Sequence, residues 1–206
     1  MTDPAPLLRF DAVVLAGGRG RRLGGATKPL LVHRGATLLA AALVAVEGAE
    51  RIVVAGPARL SSEAGAALLV QEDPPFGGPV AGLAAALPRL ERPAAPEWVL
   101  VLAADLVSPA AAVQRLLAEA ASADSDSLLA VDADGRAQQL LGLHRTRSLV
   151  RALDALGSPD GAPVRALLRG LAVALVAVPA EATADVDGPD DARRHGIDVP
   201  PSVPPE

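Results

Sequence analysis

The 206-residue chain contains no cysteine, which excludes disulfides, thiolate metal sites and a cysteine nucleophile together. Tyrosine is also absent and aromatic residues make up only 1% of the chain, although half of it is hydrophobic. Such a core must be aliphatic, built from alanine, leucine and valine as helices packed on a sheet. The three histidines, His33, His144 and His195, are too scattered for a zinc site and read as structural or exposed. Basic residues are outnumbered, 19 against 24 acidic, and the net charge of -5 argues against a general nucleic-acid surface. No run has the length of a membrane span. Asp3 and Asp11 interrupt the N-terminus, so no export signal is expected there. These absences lead to an expectation of a soluble cytoplasmic protein with no membrane and no nucleic-acid partner.

Glycine and arginine are concentrated in one stretch, Ala12 to Leu31, around which the chain is organised. Its apolar start, Ala12 to Ala16, reads as a buried parallel strand. It breaks into Gly17-Gly18-Arg19-Gly20-Arg21-Arg22, then Leu23-Gly24-Gly25, and closes on Lys28-Pro29. Glycines let the main chain approach a ligand, and exposed N–H groups in such a loop form a nest for anionic oxygen. The arginines and Lys28 supply fixed positive charge suited to a triphosphate. A Walker loop is excluded because Pro29 follows Lys28, and a dinucleotide fingerprint because Leu23 stands where its third glycine belongs.

Along the rest of the chain, strands and helices alternate. Leu30 to Val32 reads as extended and Gly35-Ala36 as a turn. Thr37 should cap a helix to about Val46, buried through Leu38, Leu39, Leu43 and Val46. Strands are expected at Arg51 to Ala55 and Leu68 to Val70, with weak helix between them. Pro79 sits well in the first turn of a helix reaching Leu87. Trp98 to Ala103 is the most apolar strand and should be central. It ends at Asp105, before an alanine-rich helix to about Ala121. Leu128 to Val131 and Ala137 to Leu143 form a hairpin around Asp132-Ala133-Asp134-Gly135. Helices follow at Ser148 to Leu156 and Val164 to Leu168, then a last strand, Leu171 to Val178, and a short helix near Pro189.

This pattern predicts an α/β fold: a single doubly wound, mainly parallel sheet domain over residues 1–198, with a proline-rich disordered tail over 199–206. In such sheets ligands bind at the carboxyl ends of the strands. The glycine loop, Asp73, Asp105 and Asp185 or Asp187 each follow a strand at that edge. A glycine loop with carboxylates at strand ends is the equipment of metal-dependent transfer to or from a nucleoside triphosphate. Each aspartate has a plainer alternative. Asp105 or Asp187 could cap a helix, and Asp73-Pro74 could begin a turn. Gln138 and Gln139 could face an acceptor or simply line an exposed strand.

The motifs together resemble the signature of molybdenum cofactor guanylyltransferases, L-A-G-G-x-x-x-R-[LM]-G-x-x-x-K, with the later motifs in family order. The resemblance spans roughly Val13 to Arg193 and implies a Rossmann-like nucleotidyltransferase fold. It implies that Leu15, Ala16, Gly17 and Gly18 hold the base and phosphates, with Arg22 and Lys28 acting on phosphate. Asp73 would be a nucleoside ligand. Asp105 would be the Mg²⁺ aspartate, and Asp187, in Asp185-Val186-Asp187-Gly188-Pro189, would sit at the metal. The implied catalytic set is thus Arg22, Lys28 and Asp105.

The implied reaction transfers GMP from GTP to the terminal phosphate of molybdopterin, with Mg²⁺ as cofactor. Other cofactor-biosynthesis or molybdoenzyme-maturation proteins are its implied partners. Thr27, Val107, Asp185, Asp187 and Pro57 depart from residues frequent in the family. Two alternatives stay open: a transferase of the same fold using CTP or a sugar phosphate, and a nucleotide-binding partner without activity.

Overall fold

The computed structural model describes residues 8–18 and 20–199. The readings of Asp3, of Arg19 and of the tail beyond Val199 lie outside them. Seven strands form the main sheet: β1 (Phe10–Leu15), β4 (Ile52–Ala55), β5 (Leu68–Val70), β6 (Trp98–Ala103), β7 (Ser127–Val131), β8 (Ala137–Arg145) and β9 (Val173–Ala177). Their order is β5-β4-β1-β6-β8-β7-β9, which puts β6 in the middle. β8 runs antiparallel to both its neighbours and every other pairing is parallel. The chain builds outward from β1 to β5, then returns to β6 on the other side of β1. The topological switch therefore lies between β1 and β6, where such sheets bind ligands.

Residues alternate between the two faces as the pleat requires. On one face, Ala12, Val14, Trp98, Leu100 and Leu102 meet α1 (Leu38–Ala45), α2 (Ser61–Ala64) and α4 (Ala110–Ala120). On the other, Val13, Leu15, Val99 and Val101 meet α3 (Pro79–Ala86), α5 (Thr146–Leu156) and α6 (Val164–Leu168). Both faces of β1 and β6 are thus buried, which is why Ala12 to Leu15 and the whole of β6 read as apolar runs. Thr37 caps α1 as expected, its hydroxyl accepting from Ala40 N at 3.0 Å. No helix among the described residues is long and apolar enough to cross a membrane.

A third apolar cluster lies over one end of the sheet. It joins Leu23 and Leu31 beside the glycine loop to Leu38, Val107, Val186, Ala192 and Ile197. Ala192 belongs to α7 (Pro189–Arg194), and Val199 packs on the cluster's edge. Where the sequence suggested an extended Leu30 to Val32, the chain first makes a tight turn. Leu30 N donates to Thr27 O and Leu31 N to Lys28 O, at 2.8 and 3.0 Å, with Pro29 inside the turn. A small hairpin follows, β2 (Val32–His33) against β3 (Ala36–Thr37), closed by Arg34 and Gly35 at positive φ. Pro88 lies within a short 3₁₀ turn, Leu87–Leu90, that prolongs α3.

His144, on β8, is almost wholly buried, with Nδ1 2.8 Å from Ser127 Oγ on β7. Burial pushes its pKa down from 6.5 to about 4. The native ring is therefore neutral over a range in which the unfolded chain already binds a proton. The stability this contributes is complete above the unfolded value and is lost as pH falls toward the folded one. Between pH 7 and 4 the loss from this group should be about 3 kcal/mol. Urea unfolding of the wild type should show it, and His144→Gln should have a shallower fall. Equal slopes would mean that another group senses the acid.

Candidate active site

The glycine loop leaves β1 at the switch point and folds back on itself. Leu23 N and Gly25 N both donate to Gly20 O, at 2.9 and 3.0 Å. Gly20 sits at φ 55, and a Cβ there would fall 2.0 Å from Ala26 O, so only glycine fits. Leu23 anchors the loop in the third cluster. Thr27 is held from the side, its hydroxyl accepting from Arg59 Nε at 3.0 Å. Lys28 follows, with its backbone locked in the tight turn. It is the only lysine in the chain.

Its ammonium sits between two carboxylates. Lys28 Nζ is 2.7 Å from Asp187 Oδ1 and 3.4 Å from Asp105 Oδ2. The two acids come from distant parts of the chain, brought together by main-chain bonds. Val107 N donates to Ala184 O at 2.8 Å and Val186 N to Asp105 O at 3.1 Å, an antiparallel bridge centred on Leu106 and Asp185. Val107 and Val186 pack together in the cluster beneath. α7 completes the arrangement. Asp191 Oδ2 accepts from Gly188 N at 3.0 Å and Asp187 N at 3.2 Å, so Asp191 serves the helix terminus and the Asp187 carboxylate points to Lys28 instead.

Burial pushes the Asp105 carboxyl up, and the Lys28 charge and hydrogen bond offset this only in part. Asp185 is also pushed up, first by burial and then by the charges of Asp187 and Asp105. For Lys28 burial opposes the charge, but the hydrogen bond to Asp187 and the charges of both acids outweigh it and raise its pKa. The site therefore carries an acidic excess that concentrates where two carboxylates share one cation.

Above this triad opens a cleft of about 470 Å³, within the range of small-ligand sites. One wall is Leu15, Gly17, Gly18, Gly78, Pro79 and Gly82. The other is Gln138, Gln139, Leu140, Leu141 and Val164, and the floor holds Lys28, Asp105, Asp185 and Asp187. Of the residues singled out in the sequence, Leu15, Gly17, Gly18, Lys28, Asp105, Asp185, Asp187, Gln138 and Gln139 meet in this cleft. Ala16 turns into the core below. Arg22 is exposed at the rim, its Nη1 3.8 Å from Asp187 Oδ2. Asp73 is exposed and outside the lining. Its neighbour Glu72 lines the cleft, and its Oε1 accepts from Phe76 N at 2.9 Å. Phe76 lines it too, in the same loop as Glu72, Gly78 and Pro79, and so does Val164, which nothing in its local sequence marks because non-local packing brings it there.

Among the described residues no group of three His, Cys, Asp or Glu side chains is close enough to hold a metal unaided. Asp105 and Asp187 nevertheless fit a hard divalent cation. They are oxygen donors already converging on one positive charge, and a cation such as Mg²⁺ takes one or two carboxylates and completes its shell with water and phosphate. A cleft lined by Glu72, Asp105, Asp185 and Asp187 against one ammonium also needs added positive charge before it admits a polyphosphate.

The order of the strands, with the glycine loop and the acidic pair on either side of the switch, is that of a nucleotidyltransferase. Comparison with known proteins narrows the class. The chain belongs to the MobA-like NTP transferase domain family, whose model matches residues 12–181. A molybdenum cofactor guanylyltransferase of Pseudomonas syringae is 33% identical over 153 residues, 69% of this chain and 71% of the relative. Among solved structures, molybdopterin-guanine dinucleotide biosynthesis protein A of Archaeoglobus fulgidus matches with a TM-score of 0.66 and 22% identity, covering 90% of this chain and 96% of that one. A 2-C-methyl-D-erythritol 4-phosphate cytidylyltransferase of Thermus thermophilus matches at 0.62 and 21%, covering 91% and 97%. At those identities the two structures speak for the fold alone.

Removing the ammonium separates its two relationships. In Lys28→Ala the acids lose their internal counter-charge, so Mn²⁺ alone should bind several-fold more tightly than to the wild type, while GTP binds more weakly. Calorimetry with each ligand checks both. Unchanged Mn²⁺ affinity would show that Lys28 does not compete for the acidic pair.

Proposed function

We propose that this chain transfers GMP from GTP to the terminal phosphate of molybdopterin, bare or metal-loaded, and releases pyrophosphate. The observation that carries the reading is the convergence of Gly17, Gly18, Lys28, Asp105 and Asp187 in one cleft at the switch point. The named relative, itself a guanylyltransferase, supports the choice of nucleotide.

In this reading a phosphate oxygen of the acceptor attacks the α-phosphorus of GTP. The new P–O bond forms as the bond from the α-phosphorus to the bridging oxygen breaks, and pyrophosphate leaves with the electron pair. A phosphate monoester is mostly dianionic at neutral pH, so the attacking oxygen needs no base to strip a proton. Positioning and charge are what the protein must supply. Asp105 and Asp187 would hold Mg²⁺, which when bound offsets charge on the phosphates. Lys28, relieved of the two acids, is free to turn its ammonium to phosphate oxygen. Arg22, at the rim beside Asp187, is in reach of the polyphosphate from the solvent side. Gly17 and Gly18 lend main-chain N–H groups and a surface without side chains against which a purine can lie.

Gly17 carries the preference for guanine. A Cβ built on it meets nothing within 4 Å and its backbone is not in the left-handed region. Gly17→Ala should therefore fold normally and place its methyl group in the cleft, where a purine needs the room more than a pyrimidine does. A shape difference of this kind amounts to about 1–3 kcal/mol. The wild type should use GTP well over CTP, and Gly17→Ala should narrow the ratio mainly by harming GTP, as kcat/KM for both nucleotides with one acceptor will show. A wild type preferring CTP would favour the cytidylyl reading of the same fold.

Asp105→Asn should abolish turnover with little change in melting temperature, since its carboxylate is already pushed toward its neutral form by burial. Pyrophosphate release measured across a Mg²⁺ series checks this. Near-normal release would remove Asp105 from the metal site.

A further inference from the structure

The β8 wall carries a feature with no part in the chemistry above. Because β8 is antiparallel in a parallel sheet, it begins at the edge where β1 and β6 end. Leu141 pairs with Leu102, so Gln138, three residues before the one, arrives at the same edge as Asp105, three residues after the other. Gln138 is partly buried, lines the cleft and is held from behind: its Nε2 donates to Asp132 Oδ2 at 3.0 Å. Asp132 is itself fixed, since its other oxygen accepts from Asp134 N at 3.0 Å and Arg136 N at 2.9 Å in the hairpin turn.

This chain of bonds settles which way the glutamine amide faces. A carboxylate only accepts, so the end of Gln138 against Asp132 must be the NH₂. The carbonyl oxygen Oε1 is thereby kept from the anchor and offered as an acceptor. An anion is disfavoured at this place, because the amide has no charge and the Asp132 carboxylate stands directly behind it. What such a group recognises is a hydrogen-bond donor that carries no negative charge.

Resting on the functional reading above, we infer that Gln138, locked by Asp132, is a specificity residue for the acceptor, its Oε1 accepting from a ring N–H of the pterin. Gln138 touches the acceptor and Asp132 is a positioning residue acting through it. The two walls of the cleft then divide the work: the glycine-loop wall takes the nucleotide and the β8 wall reads the acceptor.

Two variants test this in the full-length protein, with KM measured separately for molybdopterin and for GTP. Gln138→Leu keeps the turn and removes the acceptor atom. Asp132→Asn keeps an oxygen for the two turn N–H groups but offers an NH₂ to Gln138, so that the glutamine turns round and presents its own NH₂ to the cleft. Each should raise the KM for molybdopterin by roughly five- to tenfold and leave the KM for GTP unchanged. Melting temperature should be unchanged in Gln138→Leu, which decides the matter if Asp132→Asn disturbs the hairpin. An unchanged molybdopterin KM in Gln138→Leu, or a rise in the GTP KM instead, overturns the assignment while leaving the functional reading in place. Absence of turnover by the wild type with GTP and molybdopterin overturns the functional reading, and the assignment with it.

Discussion

Two carboxylates do not stay side by side in a half-buried site without a positive charge between them. In this protein that charge is the Lys28 ammonium, 2.7 Å from one acid and 3.4 Å from the other. The constraint is mutual. The acids give the chain's one lysine a reason to point inward, and the lysine offsets part of the burial that pushes the Asp105 carboxyl up. Three remote segments are thus brought into register at one point: the loop after β1, the end of β6 and the approach to α7. A ligand that brings a divalent cation supplies the same kind of charge to the same oxygens, and the ammonium then becomes available to phosphate.

The scaffold under the triad explains why it can be so exact in place and still be open to solvent. Asp105 and Asp187 do not depend on each other for position. Each flanks a buried valine or leucine: Leu106 and Val107 on one side, Val186 on the other. The bridge between Leu106 and Asp185 fixes their relative height. Apolar packing carries the geometry while the polar groups stay free for chemistry, which is how a rigid element supports a reactive edge.

Much of this was legible in the sequence because local signals and tertiary structure agreed. β6 was visible as the most apolar run and proved central; Thr37 was visible as a cap; the glycine loop announced a close backbone approach. Local chemistry misled where a bond from elsewhere competed. Leu30 read as extended, but Pro29 and the Thr27 and Lys28 carbonyls draw it into a turn. Asp187 stood between helix cap and acidic site, and Asp191 takes the capping bonds. The cleft's second wall was the least legible part. Gln138 and Gln139 stood between facing an acceptor and lining an exposed strand, and strand order brings them to the cleft; Val164 is brought there by helix packing on the sheet, which leaves no mark in the few residues around it.

β8 enters the sheet against the grain, and this has a consequence for how such a protein can change. The turn from Asp132 to Arg136 is the tip of a hairpin whose far end is pinned to β6, whereas the glycine loop grows from β1. The hairpin tip can lengthen, shorten or exchange side chains without disturbing the path of the glycine loop. One edge of the sheet thus holds two independently variable parts, so under the division of the walls inferred above descent can retain the donor substrate while trying out new recipients for it.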